Sequence, residues 1–213
     1  MTPLKRFLDL LIIALITPLV LPIAIIVALA ILIFDGRPIF FVQERMKSRD
    51  TAFNFWKFRT MTVDAQDTGA SGGHKAHRIT RLGRILRRTH FDEIPQAWNV
   101  VRGDVTLVGP RAPLRKYVEQ FPDLYARVLR SRPGLTGLAS YVFSKHEGYL
   151  LRDCKTPEET EEIYSRRCVP RKARLDLIYQ KNQSVCLDFW VFWITTARIL
   201  KLPGGRKSKI TYR

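Results

Sequence analysis

Two adjacent carboxylates, Asp92 and Glu93, are the residues whose types and spacing most suggest chemistry. They lie in THFDEIPQAWNVVRGD, residues 89–104, directly behind an arginine-rich segment. Carboxylates beside a phosphate-binding surface can hold Mg²⁺ against a diphosphate, and one of them can attack phosphorus as a covalent nucleophile. Nearby arginines would neutralise the charge that develops in such a transfer. An adjacent acidic pair is also common on ordinary solvated surfaces. Whether this pair is catalytic or only a surface feature must therefore be judged from the residues around it.

The arginine-rich segment HRITRLGRILRRTHF, residues 77–91, has the periodicity of an amphipathic helix. Its apolar face carries Ile79, Leu82, Ile85 and Leu86, and its opposite face carries Arg78, Arg81, Arg84, Arg87 and Arg88. An ordinary helix packed on a core would show the same apolar face. The arginine face has no acidic partner, however, which favours contact with phosphate groups of a lipid or a substrate.

Prolines and glycines predict the elements around the acidic pair. Pro95 is expected to open a helix through QAWNVV and Gly103 to end it, which places the pair just before a helix N-terminus. Free N–H groups there stabilise carboxylates and bind phosphate oxygens. Further elements follow: extended pieces joined by a turn over 47–51, a short strand in TLVGPRAPL that presents Arg111, helices over 115–130 and 157–182, and a tight turn in SRPGLTGL.

The run from Phe7 to Phe34 is almost entirely apolar and too long for a soluble domain of this size. A straight helix of that length would extend about 42 Å, beyond a hydrocarbon core of about 30 Å. Pro18 and Pro22 lack N–H donors, so we expect a kink or break, with Thr17 able to bond to the backbone carbonyls. A cleaved signal peptide is disfavoured, because no small-residue cleavage site follows.

Both ends of this run are basic, which favours the cytoplasmic side for both. Lys5 and Arg6 precede the run, and the residues after it are Arg37, Arg45, Lys47 and Arg49. A proline-broken hairpin that enters and leaves the same leaflet satisfies both ends. The sequence therefore predicts a re-entrant, monotopic membrane anchor. The aromatic tail VCLDFWVFWITTARILKL, with Asp188 and Arg198 shortening its apolar core, is predicted to be an interfacial or core-packing helix.

The composition points to an anionic partner. The 213 residues carry 36 lysines and arginines against 19 acidic residues, a formal net charge of +17. Nucleic acid, an anionic membrane surface or a phosphorylated substrate would each suit that charge. The three cysteines suggest neither a disulfide framework nor a zinc site. His74 and His77, in the Gly-rich stretch DTGASGGHKAHR, could bind a metal, although two loop histidines without a third ligand are more often solvated.

The sequence resembles the bacterial sugar transferases, specifically the small monotopic phosphoglycosyl transferases, across nearly the whole chain. The matching motifs occur in the expected order and are QER at 43–45, KFRTM at 57–61, RITRLGRILRRTHFDEIPQAWNVVRGD at 78–104, LVGPR at 107–111, RPGLTG at 132–137 and LDLIYQKNQS at 175–184. In the family, the hairpin is usually broken at a Ser-Pro pair, and here Thr17-Pro18 occupies that position.

The resemblance implies a fold and an activity. The expected fold is α+β and mostly helical, with a re-entrant anchor over 1–36, a catalytic domain with amphipathic interfacial helices over 37–202 and a basic tail over 203–213. The expected reaction moves a phosphosugar from a nucleotide diphosphate sugar, such as a UDP-sugar, to polyprenol (undecaprenyl) phosphate with release of UMP, an early step in building exopolysaccharide or O-antigen. The expected location is the cytoplasmic face of the bacterial inner membrane, with an anionic bilayer as partner and a homodimer as one option.

The resemblance also implies roles for individual residues. Asp92 would be the nucleophile that carries the phosphosugar, and Glu93 would bind Mg²⁺ with Asp92 or act as a base. Residues expected to contact substrate are Lys57, Arg59, Arg87, Arg88, Pro110 and Arg111. His90 stands where a small hydroxyl residue is usual, and Lys47 replaces a common glycine. A tryptophan and an Asn-Gly-Arg segment of many relatives are replaced here by LASYVFSKHEGYLL, in which Lys145 is a candidate substitute for the arginine.

Two rival interpretations stay open at this point. A membrane-anchored protein that binds nucleic acid or lipid without catalysis would suit the charge, but the aromatics do not alternate with basic residues as stacking platforms. A non-catalytic relative that kept the fold is disfavoured by intact Asp92, Glu93, Lys57 and Arg111. We therefore expect catalysis and no nucleic-acid partner.

Overall fold

A computed structural model describes residues 1–63 and 78–199. The described chain is mainly helical with two short two-stranded sheets, as the predicted α+β class requires. His74, His77 and the basic tail lie outside the described residues. The domain boundaries predicted at 36 and 202 stay predictions.

Helix α1, Pro3–Phe34, contains the apolar run. Thr2 caps its start by accepting a hydrogen bond from the Lys5 amide at 3.3 Å, and Pro3 occupies the first turn, where no N–H is needed. Its most apolar 18-residue window has a mean hydropathy of 3.0. Among the described residues it is the one helix long and apolar enough to cross a membrane.

Helix α1 continues through both internal prolines. The Thr17 hydroxyl donates to the Ile13 carbonyl at 2.7 Å, which confirms the expected bond from Thr17 to the backbone. Because the helix is assigned as one element, the hairpin of two helices stays a prediction.

The two halves of α1 both contact the rest of the chain. Near its start Lys5 and Asp9 are buried, and near its end Val27 and Ile31 are buried against Phe58 and Leu86. Between these contacts the helix is bare, since residues 14–19 are all exposed. The apolar middle of α1 therefore has no protein covering among the described residues.

Strands β1, Phe40–Met46, and β2, Ala52–Phe58, form an antiparallel hairpin. Both are rich in aromatic and β-branched side chains, which suit strands. The turn closes where predicted, with the Lys47 amide donating to the Thr51 carbonyl at 2.8 Å.

The two predicted helices are present, with an unpredicted 3₁₀ turn between them, and the first begins at Arg81, because Ile79 pairs with Met61 as an isolated β-bridge. Helix α2 spans Arg81–Thr89, a 3₁₀ turn spans Phe91–Glu93, and helix α3 spans Gln96–Arg102. Thr80 caps α2 by accepting from the Gly83 amide at 2.8 Å. Gly103 ends α3 with a positive φ of 78°, as expected for a glycine at this position.

The segment SRPGLTGL is a strand and not the predicted tight turn. Strand β4, Gly134–Thr136, pairs in parallel with β3, Thr106–Val108. Its glycines allow close approach: a Cβ at Gly134 would lie 2.1 Å from the Gly109 nitrogen, and one at Gly137 would lie 2.1 Å from the Gly109 oxygen. The prediction was wrong because it assigned these glycines to chain reversal, whereas they serve packing between backbones.

The remaining helices fall in the predicted helical regions, except the helix over Leu138–Leu150, which the sequence did not predict. They are α4 Arg115–Gln120, α5 Pro122–Val128, α6 Leu138–Leu150, α7 Pro157–Ile163, α8 Val169–Lys181 and α9 Val185–Ile199, with a π turn over Tyr164–Cys168 between α7 and α8. Helix α9 packs Val191 and Ile194 inward and exposes Phe189, Trp190 and Trp193. Its location at a membrane interface stays a prediction.

Candidate active site

The acidic pair lies in the 3₁₀ turn that joins α2 to α3. His90 ends α2 in the left-handed conformation, with φ of 59°, so the chain changes direction immediately before the pair. The Glu93 amide then donates to the His90 carbonyl at 3.1 Å, which closes the turn. Both carboxylates are thereby held on a short, hydrogen-bonded segment at the start of α3, as predicted.

Asp92 is buried, with 8% of its surface exposed. Burial raises the pKa of its carboxyl, and the neighbouring charge of Glu93 adds to this. Lys57 and Arg87 act in the opposite direction but do not outweigh the burial. Asp92 therefore lies close to two cations in a poorly hydrated site, where its charged form is less favoured than in water.

Glu93 has the opposite shift. Burial alone would raise the pKa of its carboxyl, but the charges of Lys57 and Arg111, with a hydrogen bond from Lys57, lower it. The Lys57 Nζ lies 2.8 Å from Glu93 Oε1. Neighbouring carboxylates whose pKa values are pushed apart are a common sign of a division of labour in catalysis.

The Lys57 ammonium is positioned by β2, which packs against the 3₁₀ turn. It also lies 5.7 Å from the centre of the Phe55 ring. Asn99 holds β2 against α3: its Oδ1 accepts from the Trp56 amide at 3.2 Å, and its Nδ2 donates to the Asn54 carbonyl at 2.7 Å. Sequence reasoning missed Asn99, although a polar side chain among apolar residues in QAWNVV was an available signal.

Three of the arginines predicted to contact substrate, Arg59, Arg87 and Arg88, have different surroundings. Arg87 reaches back from α2 and donates through Nε to the Thr60 hydroxyl at 2.8 Å. Arg88 is exposed. Arg59 is buried and donates to the carbonyls of Asp35 and Gly36 at 2.6 and 2.7 Å, which ties β2 to the end of α1. Its predicted contact with substrate stays a prediction.

Arg111 follows β3 and is exposed beside the acidic pair, whose Glu93 carboxylate it influences. The preceding residue, Pro110, is buried, and its carbonyl accepts from the Gly134 amide at 2.8 Å. The predicted presentation of Arg111 by a proline-fixed segment therefore has a structural basis in the pairing of β3 with β4. Lys145 is exposed on α6.

A polar network at the start of α1 was missed by sequence reasoning. Lys5 Nζ donates to the Val108 carbonyl at 3.0 Å and pairs with Asp188. The Tyr179 hydroxyl contacts the same carbonyl at 3.0 Å and also Asp188. The network joins α1, α8 and α9 to the strand that leads to Pro110 and Arg111. Lys5 and Asp188 are far apart in sequence, so only the tertiary fold reveals this role.

The acidic pair is suited to Mg²⁺ only together with substrate oxygens. The described residues contain no group of three or more His, Cys, Asp or Glu side chains that could hold a metal ion. Protein Mg²⁺ sites commonly use one or two carboxylates and complete the octahedron with phosphate oxygens and water. Asp92 and Glu93 supply that number of carboxylates.

Comparison with known proteins gives one family and several relatives. The family model described as bacterial sugar transferase matches residues 1–202. Over 208 residues the chain is 31% identical to the UDP-N-acetylgalactosamine-undecaprenyl-phosphate N-acetylgalactosaminephosphotransferase of Aeromonas hydrophila, with 95% of this chain and 45% of that protein covered.

Two further relatives cover similar parts of the chain. The undecaprenyl-phosphate glucose phosphotransferase of Komagataeibacter xylinus is 33% identical over 202 residues, covering 91% of this chain and 35% of that protein. The UDP-glucose:undecaprenyl-phosphate glucose-1-phosphate transferase of Caulobacter vibrioides is 42% identical over 202 residues, covering 92% of this chain and 69% of that protein. The chain thus spans less than half the length of two of these three relatives. On the extent of these matches, the chain belongs to the bacterial sugar transferase family.

Proposed function

We propose that this chain transfers a phosphosugar from a nucleotide diphosphate sugar to polyprenol phosphate. The observation that carries the proposal is a buried aspartate, Asp92, beside an ion-paired glutamate and three cationic side chains, Lys57, Arg87 and Arg111. The relatives are named as sugar phosphotransferases of undecaprenyl phosphate, which supports the substrate classes.

In the proposed first step, a carboxylate oxygen of Asp92 attacks the phosphorus bonded to the sugar. The bond from that phosphorus to the bridging oxygen of the nucleotide breaks, and the nucleoside monophosphate leaves with both electrons. With a uridine carrier the leaving group is UMP. A phosphosugar then remains on Asp92 as an acyl phosphate.

In the second step, a phosphate oxygen of polyprenol phosphate attacks the same phosphorus. The bond to the Asp92 oxygen breaks, which restores the carboxylate and yields polyprenyl-diphosphate-sugar. Two displacements at one phosphorus explain why a nucleophilic carboxylate is surrounded by cations. These cations offset the charge of both diphosphates and of each transition state.

Mg²⁺ would be held by Asp92 and Glu93 with the diphosphate, where it would neutralise charge on the phosphate oxygens. Lys57 holds Glu93 ionised by direct contact, so this carboxylate remains available to the metal or as an acceptor for a proton. Arg87, Arg88 and Arg111 are proposed to bind the diphosphate. Their guanidinium groups match phosphate geometry better than lysine does.

Helix α1 is proposed to be the re-entrant anchor. Both of its ends are attached to the same domain, through Arg6 bonds to the carbonyls of Val100 and Val101 and through Arg59 bonds to Asp35 and Gly36. Between these two attachments, residues 14–19 are exposed. A bend at Pro18 that carries this apolar segment into one leaflet accounts for all three observations.

In this proposal the acidic pair lies near lipid headgroups. Leu86, on the same helix as Arg87, packs against Val27 and Ile31 of α1, so the anchor adjoins the element that leads into the pair. A soluble sugar donor and a lipid phosphate could then reach Asp92 from the cytoplasmic face of the bacterial inner membrane. A homodimer and an anionic bilayer partner are part of the same proposal.

A turnover assay tests the proposed reaction. Purified protein in nanodiscs is incubated with Mg²⁺, polyprenol phosphate and a panel of UDP-sugars, and release of UMP and formation of lipid-linked sugar are measured. Asp92→Asn is expected to abolish turnover, because an amide cannot form the acyl phosphate. Asp123→Asn, at an exposed aspartate on α5, serves as the matched control and should retain full activity. Full activity of Asp92→Asn would remove the proposed mechanism.

A further inference from the structure

A cavity of about 30 Å³ lies among β1, the segment after β3, and helices α4, α5 and α8. Its lining includes the polar side chains of Arg45, Arg111, Tyr125, Lys172 and Asp176. Such a volume has room for roughly one or two water-sized groups. A whole sugar ring or a nucleobase does not fit inside it, but one hydroxyl group does.

Among the charged side chains that line this cavity, two have a buried atom without a hydrogen-bond partner. These atoms are Arg45 Nε, a donor, and Asp176 Oδ1, an acceptor. The other nitrogens of Arg45 are engaged, since Nη1 donates to the Ala112 carbonyl at 3.1 Å and Nη2 to Gln43 Oε1 at 2.7 Å. Asp176 is only 6% exposed. Buried polar groups are nearly always paired, so these two atoms indicate a missing ligand or water. The Tyr117 hydroxyl also lacks a hydrogen bond, but it has a polar neighbour in Glu161, which is close enough to affect the pKa of Tyr117.

The chemistry of the two atoms selects the ligand group. A hydroxyl can accept from Arg45 and donate to Asp176 at the same time, because it has one O–H and two lone pairs. A fully ionised phosphate has only acceptors and would be repelled by Asp176. An ammonium has only donors and would be repelled by Arg45, Arg111 and Lys172. A hydroxyl is the group that satisfies both orphaned atoms.

Arg111 links this cavity to the acidic pair. Its guanidinium lines the cavity and its charge acts on both Glu93 and Asp176. β1 is fastened to the segment that carries Arg111 by the Arg45 bond to Ala112 and by a 2.9 Å bond from the Met46 amide to the Pro113 carbonyl. In a nucleotide sugar, the transferred sugar is attached at one end of the diphosphate and the ribose at the other. If the diphosphate binds at Arg111, one of these two rings would lie at the mouth of the cavity.

We propose that this cavity recognises a hydroxyl group of the nucleotide sugar, whose oxygen accepts a hydrogen bond from Arg45 Nε and whose O–H donates one to Asp176 Oδ1. The ring that carries the hydroxyl is either the transferred sugar or the ribose, since both flank the diphosphate. This subsite rests on the proposed function, because it assumes that the diphosphate binds beside Asp92 and Arg111.

Binding measurements on the full chain in nanodiscs test the subsite. Titration calorimetry compares wild type, Asp176→Asn and the control Asp123→Asn, with UDP, UDP-glucose and UDP-N-acetylgalactosamine as ligands. At pH 8, above the pKa of about 7 of Asp176, Asp176→Asn is expected to weaken binding about tenfold or more, as for loss of a hydrogen bond to a charged group. Equal weakening for UDP and the UDP-sugars assigns the ribose, and weakening for the UDP-sugars alone assigns the transferred sugar.

Two other outcomes count against the proposal in different ways. If Asp176→Asn binds all three ligands like wild type, the cavity holds only water and the subsite is overturned while the proposed function stands. If wild type binds none of them, the proposed function fails and the subsite fails with it.

Thermal unfolding separates recognition from a purely structural role. Burial, partly opposed by Lys172 and Arg111, raises the pKa of Asp176 to about 7, and Tyr125 on α5 and Arg45 on β1 line the same cavity. Because the folded pKa lies above the unfolded value, ionisation of Asp176 costs stability increasingly as pH rises from about 4 to about 7. Asp176→Asn should therefore raise the unfolding midpoint, more at pH 8 than at pH 5. A lowered midpoint at pH 8 would indicate that Asp176 serves the fold and would overturn the subsite.

Discussion

At the scale of single residues, Asp92 and Glu93 are neighbours in sequence with different electrostatic surroundings. Burial dominates at Asp92, whereas Lys57 and Arg111 dominate at Glu93. The ion pair between Lys57 and Glu93 is the main interaction that favours the ionised form of Glu93 beside the buried carboxyl of Asp92.

Replacement of Lys57 should therefore change the pH dependence of the reaction. In Lys57→Met, Arg111 still offsets part of the burial at Glu93, but the larger contribution of Lys57 is lost, so the pKa of Glu93 rises. The pKa of Asp92, which Lys57 also lowers, rises with it, and the acid limb of the kcat/KM profile should move to higher pH. Wild type keeps Glu93 ionised to lower pH, since its folded pKa is below the ordinary value. Rates measured across pH 4–8 check this, with Lys181→Met, at an exposed residue ending α8, as the control. An unmoved acid limb would mean that the contact does not govern catalysis.

The sequence was sufficient to predict the acidic pair and the cations around it, but not which cation meets which carboxylate. Lys57 and Arg59 are two residues apart, yet Lys57 contacts Glu93 while Arg59 contacts the end of α1. Lys57 lies within β2, whereas Arg59 follows Phe58, the last residue of the strand, so the alternation of faces along the strand does not set the directions of both side chains. That information was absent from the sequence pattern.

At the scale of elements, glycines set how closely α2 and the parallel strands approach their neighbours. Gly83 lies in α2 against the backbone of Thr60, where an added Cβ would be 2.1 Å from the Thr60 oxygen. Since Arg87 and the acidic pair follow on from the same helix, this contact helps to place both.

Gly83→Ala should destabilise the fold although alanine favours helices. The Cβ forces α2 away from Thr60, which we expect to cost about 1–3 kcal/mol, in the range of overpacked cores. Gly148→Ala is the matched control, because it is also helical but its Cβ would meet nothing within 4 Å. That change should stabilise by about 0.5–1 kcal/mol. Chemical denaturation of both variants measures the difference, and equal stabilities would contradict the close-contact role of Gly83.

The β-hairpin and most of the helices were predicted because their signals are local, whereas α6 was missed. Periodicity, caps and turn residues lie within each segment, as for α2 with its Thr80 cap and α3 with Gly103. Strand β4 was mistaken for a turn because its identity depends on pairing with β3, which is distant in sequence. Parallel pairing of short strands leaves little local pattern to detect.

At the scale of the whole molecule, charge and hydrophobicity are segregated. An apolar helix bare of protein contacts in its middle is joined to a domain that carries most of a net charge of +17. Such a molecule suits an anionic membrane surface, where the basic domain lies against headgroups and the apolar helix enters the lipid.

The topology of α1 can be tested by labelling single cysteines in a background without the native cysteines. Cysteines placed at Thr2 and at Phe40 should both be protected from a membrane-impermeant reagent in intact cells and both react after permeabilisation. The reason is that a re-entrant helix returns both ends to the cytoplasmic side, as their basic flanks favour. Reaction at Thr2 alone in intact cells would show a helix that crosses the membrane.

The central claim is that Asp92 carries the phosphosugar, and mass spectrometry of the intact protein tests it most directly. The protein is incubated with Mg²⁺ and a UDP-sugar that supports turnover, in the absence of polyprenol phosphate. The reaction is then quenched rapidly and the mass of the intact protein is measured. We predict a mass increase equal to one phosphosugar, localised to Asp92 by peptide mapping, absent in Asp92→Asn and lost when polyprenol phosphate is added. Turnover in the complete mixture without any such adduct, or an adduct that persists in Asp92→Asn, would contradict the account.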